Sequence, residues 1–509
     1  MDPNFFNLKV LSSFFIFMLV ALKLGKLILN KKGSSQKLPP GPWKIPIIGH
    51  IHHLITSTPH RKLSDLAKIY GPLMHLQLGE ISTIVVSSPN YAREILKTHD
   101  VIFASRPKLL TIEILLYGYT DIAFSPYGNY WRQLRKICTM ELFSQKRVSS
   151  FQPIREEELT DLIERIHSQQ GSPINITQLV VSSTFAIISR AAFGNKYKVQ
   201  EFASLGKGES IAGGFEIAEL FPSAKWLQLV SGLRPKLERL HRKIDQILEN
   251  IIIEHKETNS KAKEGQGERE EDFVDVLLKF QDTNDGDQDI CLTDNNIKAI
   301  IMDIYGAGGE GSSSTIIWAI AELVRDPRVM KKAQEEIREI FKMKGIVGEN
   351  CINELKYLKS VVKETLRLHP PGALLIPREC GQACEIDGYY IPNKSKVIVN
   401  AWAIGRDPKY WTEPERFYPE RFIGSSIDYK GSDFEYIPFG AGRRICLGST
   451  FALINVEMAL ALMLYHFDWR LPNGMKGEDL DMSEQFGMSV KRKDDLYLIP
   501  TAHIPSLAI

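Results

Sequence analysis

The sequence carries almost no net charge. Its 63 Lys and Arg stand against 61 Asp and Glu, a formal balance of +2 at pH 7. No field of that size suggests a nucleic acid partner. Cysteine is scarce as well: six in 509 residues, at positions 138, 291, 351, 380, 384 and 446. Their scatter has no disulfide-like framework, which fits a reducing compartment. Cys380 and Cys384 lie four apart, but no neighbouring Cys or His pair completes a zinc site, so they read as structural. Internal repeats are missing. Low complexity is confined to Lys256 to Asp272, dense in Lys, Glu, Gly and Gln, where the shortage of apolar residues predicts an exposed, mobile loop.

One apolar run stands out, at the N-terminus. Phe5 to Leu29 is apolar apart from Asn7, Lys9, two serines, Lys23 and Lys26, and its core Val10 to Leu22 is uncharged. About 20 such residues suffice to span a bilayer as a helix. Lys23, Lys26, Lys31 and Lys32 follow, where a cleaved signal would have small residues. The segment therefore reads as an uncleaved anchor with the remaining chain in the cytosol. The prolines of Leu38-Pro-Pro-Gly-Pro-Trp-Lys-Ile-Pro46 make the next stretch stiff and extended. The expected organisation is an anchor at 5–29, a basic and proline-rich hinge at 30–50, and one large domain at 51–509.

Within that domain, Leu73 to Leu78 and Ile81 to Val86 read as a hairpin turning at Gly79-Glu80. Several amphipathic helices follow between Arg155 and about Ile253, interrupted by an apolar loop at Phe215 to Trp226. Asn296 to Val324 reads as one long apolar helix whose middle, Gly306-Ala-Gly-Gly-Glu-Gly-Ser312, is glycine-rich. Each glycine weakens a helix by roughly 1 kcal/mol relative to alanine, so close packing, a bend or a near approach must justify them.

The stretch that organises the chain is Phe439-Gly-Ala-Gly-Arg-Arg-Ile-Cys446-Leu-Gly448, ahead of the apolar run Phe451 to Leu464. Its glycines allow sharp turns. The free N–H groups and dipole of the following helix favour a thiolate. A lone cysteine is more often a small buried hydrophobe. Here Phe439, Gly442, Arg444, Cys446 and Gly448 match Phe-x-x-Gly-x-Arg-x-Cys-x-Gly, which resembles the haem-binding signature of the cytochrome P450 family.

The resemblance implies that Cys446 ligates the iron of haem b as a thiolate, which favours O–O cleavage. It implies haem-propionate contacts at Trp131 and Arg135, a Trp-x-x-x-Arg pair on one helix face, and at Arg378 and Arg444, with Phe439 beside the cofactor. It implies that the glycine-rich helix lies over the haem. There the usual Ala/Gly-Gly-x-Asp/Glu-Thr motif reads Ala307, Gly308, Gly309, Glu310 and then Gly311 in place of threonine. That threonine normally helps deliver protons during dioxygen activation. Either Ser312 or an ordered water takes over with Glu310, or the enzyme performs a desaturation, coupling or rearrangement. Glu364 and Arg367 match the family's buried Glu-x-x-Arg, and Arg421 in Pro-Glu-Arg-Phe is the third partner of a structural network. Leu447 stands where many plant relatives have proline and leaves one more N–H near the sulfur.

The expected fold is mainly α with a small β region, the cytochrome P450 fold with an N-terminal transmembrane helix. Ala104-Ser-Arg-Pro-Lys-Leu-Leu110, Asp121-Ile-Ala-Phe124 and Phe434-Glu-Tyr-Ile-Pro-Phe439 are similar to plant terpenoid oxidases such as the premnaspirodiene oxygenases and limonene hydroxylases. The implied function is monooxygenation of a small apolar plant metabolite, a terpenoid first. Oxidative cyclisation, coupling or desaturation of an indole alkaloid is the alternative. The implied pocket is Leu115, Ile304, Ala307, Ala373, Leu374 and Phe486. Implied partners are NADPH–cytochrome P450 reductase and cytochrome b5, met through a basic face with Arg132, Lys136, Lys146 and Arg147. The implied location is the endoplasmic reticulum membrane, single-pass.

Overall fold

The alternation in Leu73–Leu78 (β1) and Ile81–Val86 (β2) closes the expected hairpin, in register from Leu73↔Val86 to Leu78↔Ile81. Gly79 takes the left-handed conformation at the turn, φ +59°. Two later segments extend the sheet. Arg378–Glu379 (β3) and Lys396–Val399 (β4) complete the order β1-β2-β4-β3, with β4 parallel to β2 and β3 antiparallel to β4. The structure, a computed structural model, describes residues 36–194, 216–263, 271–281, 291–345 and 348–503. The expected anchor at 5–29 and the start of the hinge lie outside them.

Helices build the rest. Asn129–Ile137 (α1), Gln152–His167 (α2), Ile176–Phe193 (α3), Leu233–Lys263 (α4), Asp294–Arg325 (α5), Pro327–Lys344 (α6), Lys356–Leu368 (α7) and Ser449–His466 (α8) are the main ones. Their apolar residues merge into one large core, including Ile187, Ile300, Ile320, Leu358, Val361 and Leu460. α5 begins at a capping box in which Thr293 accepts from the Asn296 N–H and Asn296 answers. It ends where Asp326 leaves the helix and accepts from the N–H groups of Arg328 and Val329, capping α6 with Pro327 in its first turn. Ile176–Phe193 and Ser449–His466 are long and apolar enough to cross a membrane, and both are mostly buried within this core.

The glycines of α5 serve different ends. A Cβ added at Gly308 would lie 2.8 Å from Ile188 Cδ1, and one at Gly309 would lie 2.4 Å from Phe185 Cε1. Both contacts are with α3, so these two glycines let the helices approach closely. A Cβ at Gly311 would meet no atom within 4 Å. That position faces open space.

Two expectations need correcting. Lys256 to Lys263 is helical, the last turns of α4, rather than loop. Residues 264–270 lie outside the described ones. Lys and Glu are good helix formers, so a stretch without apolar residues reports exposure and says little about backbone state. Asp272 is buried, not mobile: it caps the helix Phe273–Leu278 and bonds His255 at 2.9 Å. The 216–226 region contains two short helices, Ile217–Leu220 and Lys225–Val230, rather than a plain loop.

The two glycine environments give opposite expectations. Gly309→Ala should destabilise by up to ~2 kcal/mol, overpacking of ~1–3 kcal/mol offset by ~1 kcal/mol of helix propensity. Gly311→Ala should be neutral or stabilise by up to ~1 kcal/mol. Thermal unfolding midpoints decide it, and equal responses would refute the packing account.

Candidate active site

The loop before α8 is held open by its glycines. Gly440 and Gly442 have φ of +72° and +68°, and a Cβ on Gly442 would lie 2.0 Å from the Leu96 carbonyl oxygen. No other residue fits there. The Cys446 N–H donates to the Phe439 carbonyl at 3.0 Å, closing the loop. The N–H groups of Gly448 and Ser449, at the start of α8, point at the Cys446 sulfur and lower its pKa, as does the Arg135 charge, but burial dominates and raises it. The bonds to sulfur thus come from the two residues after Leu447. Cys446 also presents accessible surface. Accessible surface and dense enclosure coexist when a side chain faces an internal cavity, and this is how we read Cys446.

Arginines converge on this loop from four elements. Arg135, on α1, donates to the Ile445 carbonyl at 2.8 Å. Arg378, on β3, donates to the Ala441 carbonyl at 2.9 Å and pairs with Asp100 at 2.8 Å. Arg444 donates to the carbonyls of Ala104 at 2.8 Å and Ser125 at 2.6 Å. Arg106 donates to the carbonyls of Ile376, Pro377 and Ala123. The Trp131 ring lies 4.1 Å from the Arg444 guanidinium and 5.4 Å from that of Arg135, and its Nε1 donates to the Ile122 carbonyl at 3.0 Å. Among the described residues Arg378 is the one of these four arginines with a carboxylate within ion-pair distance, and that carboxylate, Asp100, is also 3.7 Å from Arg443. Burial and mutual repulsion push Arg444 down to about 9 and Arg106 well below its ordinary value. Such a cluster calls for anions. A dicarboxylate macrocycle with its metal over Cys446 answers both the charge and the thiol, so the residues present fit haem.

The remaining candidates are on α5. Ala307 is exposed in a helix that is otherwise largely buried, so it faces an internal space. Glu310, one turn on, accepts from the Ser489 hydroxyl at 3.1 Å. Ser312 Oγ is buried without a hydrogen-bond partner. Asp303, one turn before Ala307, accepts from the N–H groups of Ile122 and Ala123, both at 2.9 Å. It also bonds Asp121, and burial beside that second acid raises the Asp303 pKa well above the ordinary value. Burial raises the Asp121 pKa too, which favours a proton held between the two acids, and the bonds from Ile122 and Ala123 pin the Asp121–Phe124 segment to α5.

Glu364, Arg367 and Arg421 meet as expected. Arg367 donates to both Glu364 oxygens, at 2.7 and 2.9 Å, and Arg421 Nε adds a third bond at 3.0 Å. Arg367 spends its remaining donors on the carbonyls of Gly405, Pro414 and Arg416. Glu364 is fully buried and fully satisfied. Next to it, Tyr436 donates to the Lys363 carbonyl at 2.9 Å and packs on Phe422. Tyr436 is three residues ahead of Phe439, so α7 buttresses the cysteine loop.

The expected pocket residues divide. Ala373 and Leu374 belong to adjacent clusters that share Phe486. Leu115 packs with Leu110 and Leu237, and Ile304 belongs to the main core. Four residues of the site were given no site role in the sequence reading: Arg106 and Asp121, which stood inside quoted stretches, and Asp303 and Ser489. A signal existed for Asp303, a lone acid amid Ile300, Ile301, Met302 and Ile304. For Ser489 there was none.

Two outcomes follow. The proton held by the raised Asp303 is released in the unfolded chain near pH ~3.9. Stability from the pair is therefore complete below that pH and is lost as pH rises through the native pKa. Asp303→Asn mimics the protonated acid, so its melting temperature relative to the parent should climb with pH. A pH-independent difference would refute proton sharing. Glu364→Ala strands two buried guanidinium groups and should lower stability by ~3–5 kcal/mol in denaturant unfolding. A loss below roughly 1 kcal/mol would remove the network from the frame.

Comparison with known proteins places this geometry. Residues 39–498 match the family model described as Cytochrome P450. The chain is 59% identical to cytochrome P450 71D11 of Lotus japonicus, over 96% of this chain and 99% of that protein. It is 51% identical to premnaspirodiene oxygenase of Hyoscyamus muticus, over 94% and 95% of the two chains. Identity to tabersonine 16-hydroxylase 2 of Catharanthus roseus is also 51%, over 96% of each. Among solved structures, a zebra fish cytochrome P450 with abiraterone superposes with a TM-score of 0.73 at 27% identity, covering 88% of this chain and all of that one. The mainly helical fold, the cysteine loop and these matches agree: the chain belongs to the cytochrome P450 family of haem-dependent monooxygenases.

Proposed function

We propose that this protein inserts oxygen into a small apolar plant metabolite, a terpenoid in the first instance, at a haem held between the arginine cluster and Cys446. One observation carries the reading: an accessible, enclosed thiol beside four guanidinium groups of which, among the described residues, only Arg378 is ion-paired to a carboxylate. Haem with a thiolate ligand, supplied with electrons from NADPH by a reductase, provides the dioxygen-activating chemistry.

The chain's own groups do the rest. Arg106, Arg135, Arg378 and Arg444 would hold the haem carboxylates, with Trp131 and Phe439 packing alongside. The Gly448 and Ser449 N–H groups would stabilise the thiolate. Glu310 would take up and release protons on the opposite side. Glu364, Arg367 and Arg421 would hold the cysteine loop in place. Ala307, Ala373, Leu374 and Phe486, with Leu115 and Ile304 behind, offer the substrate a mainly apolar surface. The name of the Hyoscyamus relative, premnaspirodiene oxygenase, supports a terpenoid. Anchor, hinge and catalytic domain at 5–29, 30–50 and 51–509 would place the enzyme on the cytosolic face of the endoplasmic reticulum. Arg132, Lys136, Lys146 and Arg147 would meet an acidic reductase or cytochrome b5.

Gly311 supports a second reading. Without a hydroxyl at that position, the reaction would be an oxidative cyclisation, coupling or desaturation of an indole alkaloid, a class to which the tabersonine hydroxylase points. Product mass under heavy-isotope dioxygen separates the two, in microsomes with a plant reductase and a panel of terpenes and indole alkaloids. Monooxygenation predicts one labelled oxygen in a terpene product. A product two hydrogens lighter and unlabelled would overturn it in favour of the second.

A further inference from the structure

Glu310 is tied to a residue far away in sequence. The Ser489 hydroxyl donates to Glu310 Oε2 at 3.1 Å and is the one side-chain partner of that carboxylate among the described residues. Ser489 is 8% exposed and sits in the loop between the short strands Glu484–Gln485 and Lys491–Arg492. The loop is fastened on both sides. The Val490 carbonyl accepts from Ser314 Oγ at 3.0 Å and Trp318 Nε1 at 3.4 Å, both on α5, and the Val490 N–H donates to the Pro371 carbonyl at 2.8 Å. Ser314 is four residues beyond Glu310, on the same helix face.

The hydroxyls of α5 itself are used otherwise. Ser313 Oγ donates to the Gly309 carbonyl at 2.8 Å, and Thr315 Oγ1 to the Gly311 carbonyl at 2.8 Å. Ser312 Oγ is buried and bonds nothing. Gly311 has no hydroxyl to offer, although a side chain there would meet no atom within 4 Å.

We infer that Ser489 is a positioning residue for Glu310, supplying from the 486–490 loop the hydroxyl that position 311 lacks. The inference rests on the proposed monooxygenase reading. The loop anchors fix Ser489, Ser489 fixes Oε2, and Oε1 is left to take and release protons. A hydrogen bond to a charged carboxylate is among the stronger ones, which suits a restraining role.

The test uses full-length haem-loaded protein with reductase, as the parent and as Ser489→Ala, Ser489→Thr and the double variant Gly311→Thr/Ser489→Ala. Three quantities are read: the share of NADPH electrons reaching product rather than peroxide, the solvent deuterium isotope effect, and the stretching frequency of CO bound to the reduced haem. Ser489→Ala should lose coupling about tenfold, a modest part of the 10²–10⁴-fold that a placed proton-transfer group supplies. Its isotope effect should rise and its CO stretch should shift. Ser489→Thr, and Gly311→Thr in the alanine background, should each restore coupling. Unchanged coupling, isotope effect and CO stretch in Ser489→Ala would overturn the inference, even if the melting temperature fell. Failure of Gly311→Thr to rescue where Ser489→Thr succeeds would overturn the equivalence of the two hydroxyls. A parent protein without a haem-thiolate CO band would sink the reading of Cys446 itself, which distinguishes that failure from this one.

Discussion

Buried positive charge without enough negative charge is the constraint on which the rest of this structure depends. Arg106, Arg135, Arg378 and Arg444 come from a loop, a helix, a strand and the cysteine loop, and among the described residues the one ion pair any of them makes is Arg378 with Asp100. A guanidinium cannot shed its proton to escape burial, so the cost must be met by geometry or by a ligand. Main-chain carbonyls meet part of it, and those carbonyls belong to Ala104, Ala123, Ile376, Ala441 and Ile445. The arginines thereby stitch together the segments that surround the cavity. The same groups that demand an anion also shape the place where it would sit.

A second arginine cluster shows the contrast. Arg367 and Arg421 share Glu364, and every remaining donor of Arg367 finds a carbonyl. That network keeps one positive charge in excess, but Arg367 has no donor left for a ligand. It stiffens α7 against Tyr436 and the approach to Phe439. Two buried arginine groups therefore flank the cysteine loop, one closed and structural, one open toward the cavity. Residue type does not separate them; among the described residues the ratio of guanidinium groups to ion-paired carboxylates does, two to one around Glu364 and four to one around Asp100.

This difference explains what could be read from the sequence. The long distal helix, the hairpin and the cysteine loop were legible because their patterns are local: apolar periodicity, alternation, and glycines at fixed spacing. Trp131, Arg135, Arg378 and Arg444 were legible through motif resemblance. Arg106 was in view, within Ala104-Ser-Arg-Pro-Lys-Leu-Leu110, but its closeness to the other three arginines is a tertiary fact. Asp303 and Asp121 are 182 residues apart and meet only because α5 crosses the 121–124 segment. The tail of α4 was misread for a different reason. Polar composition sets where a segment sits relative to water, and a solvated helix and a solvated loop can share it.

The distal helix shows how far one residue type can mislead. Gly308 and Gly309 are small because Ile188 and Phe185 leave no room. Gly311 has room and still lacks a side chain. Packing therefore explains the first two and cannot explain the third, so the departure at 311 is chemical rather than steric. The space beside it borders the helix that carries Glu310, whose carboxylate is held by a serine from another part of the fold. On the inference that Ser489 positions Glu310, a hydroxyl absent from the helix is presented to the same acid by another element. The 486–490 loop would then be coupled to that acid through Ser489 and to Ala373 and Leu374 through Phe486. Substrate shape and proton supply would meet in one short loop.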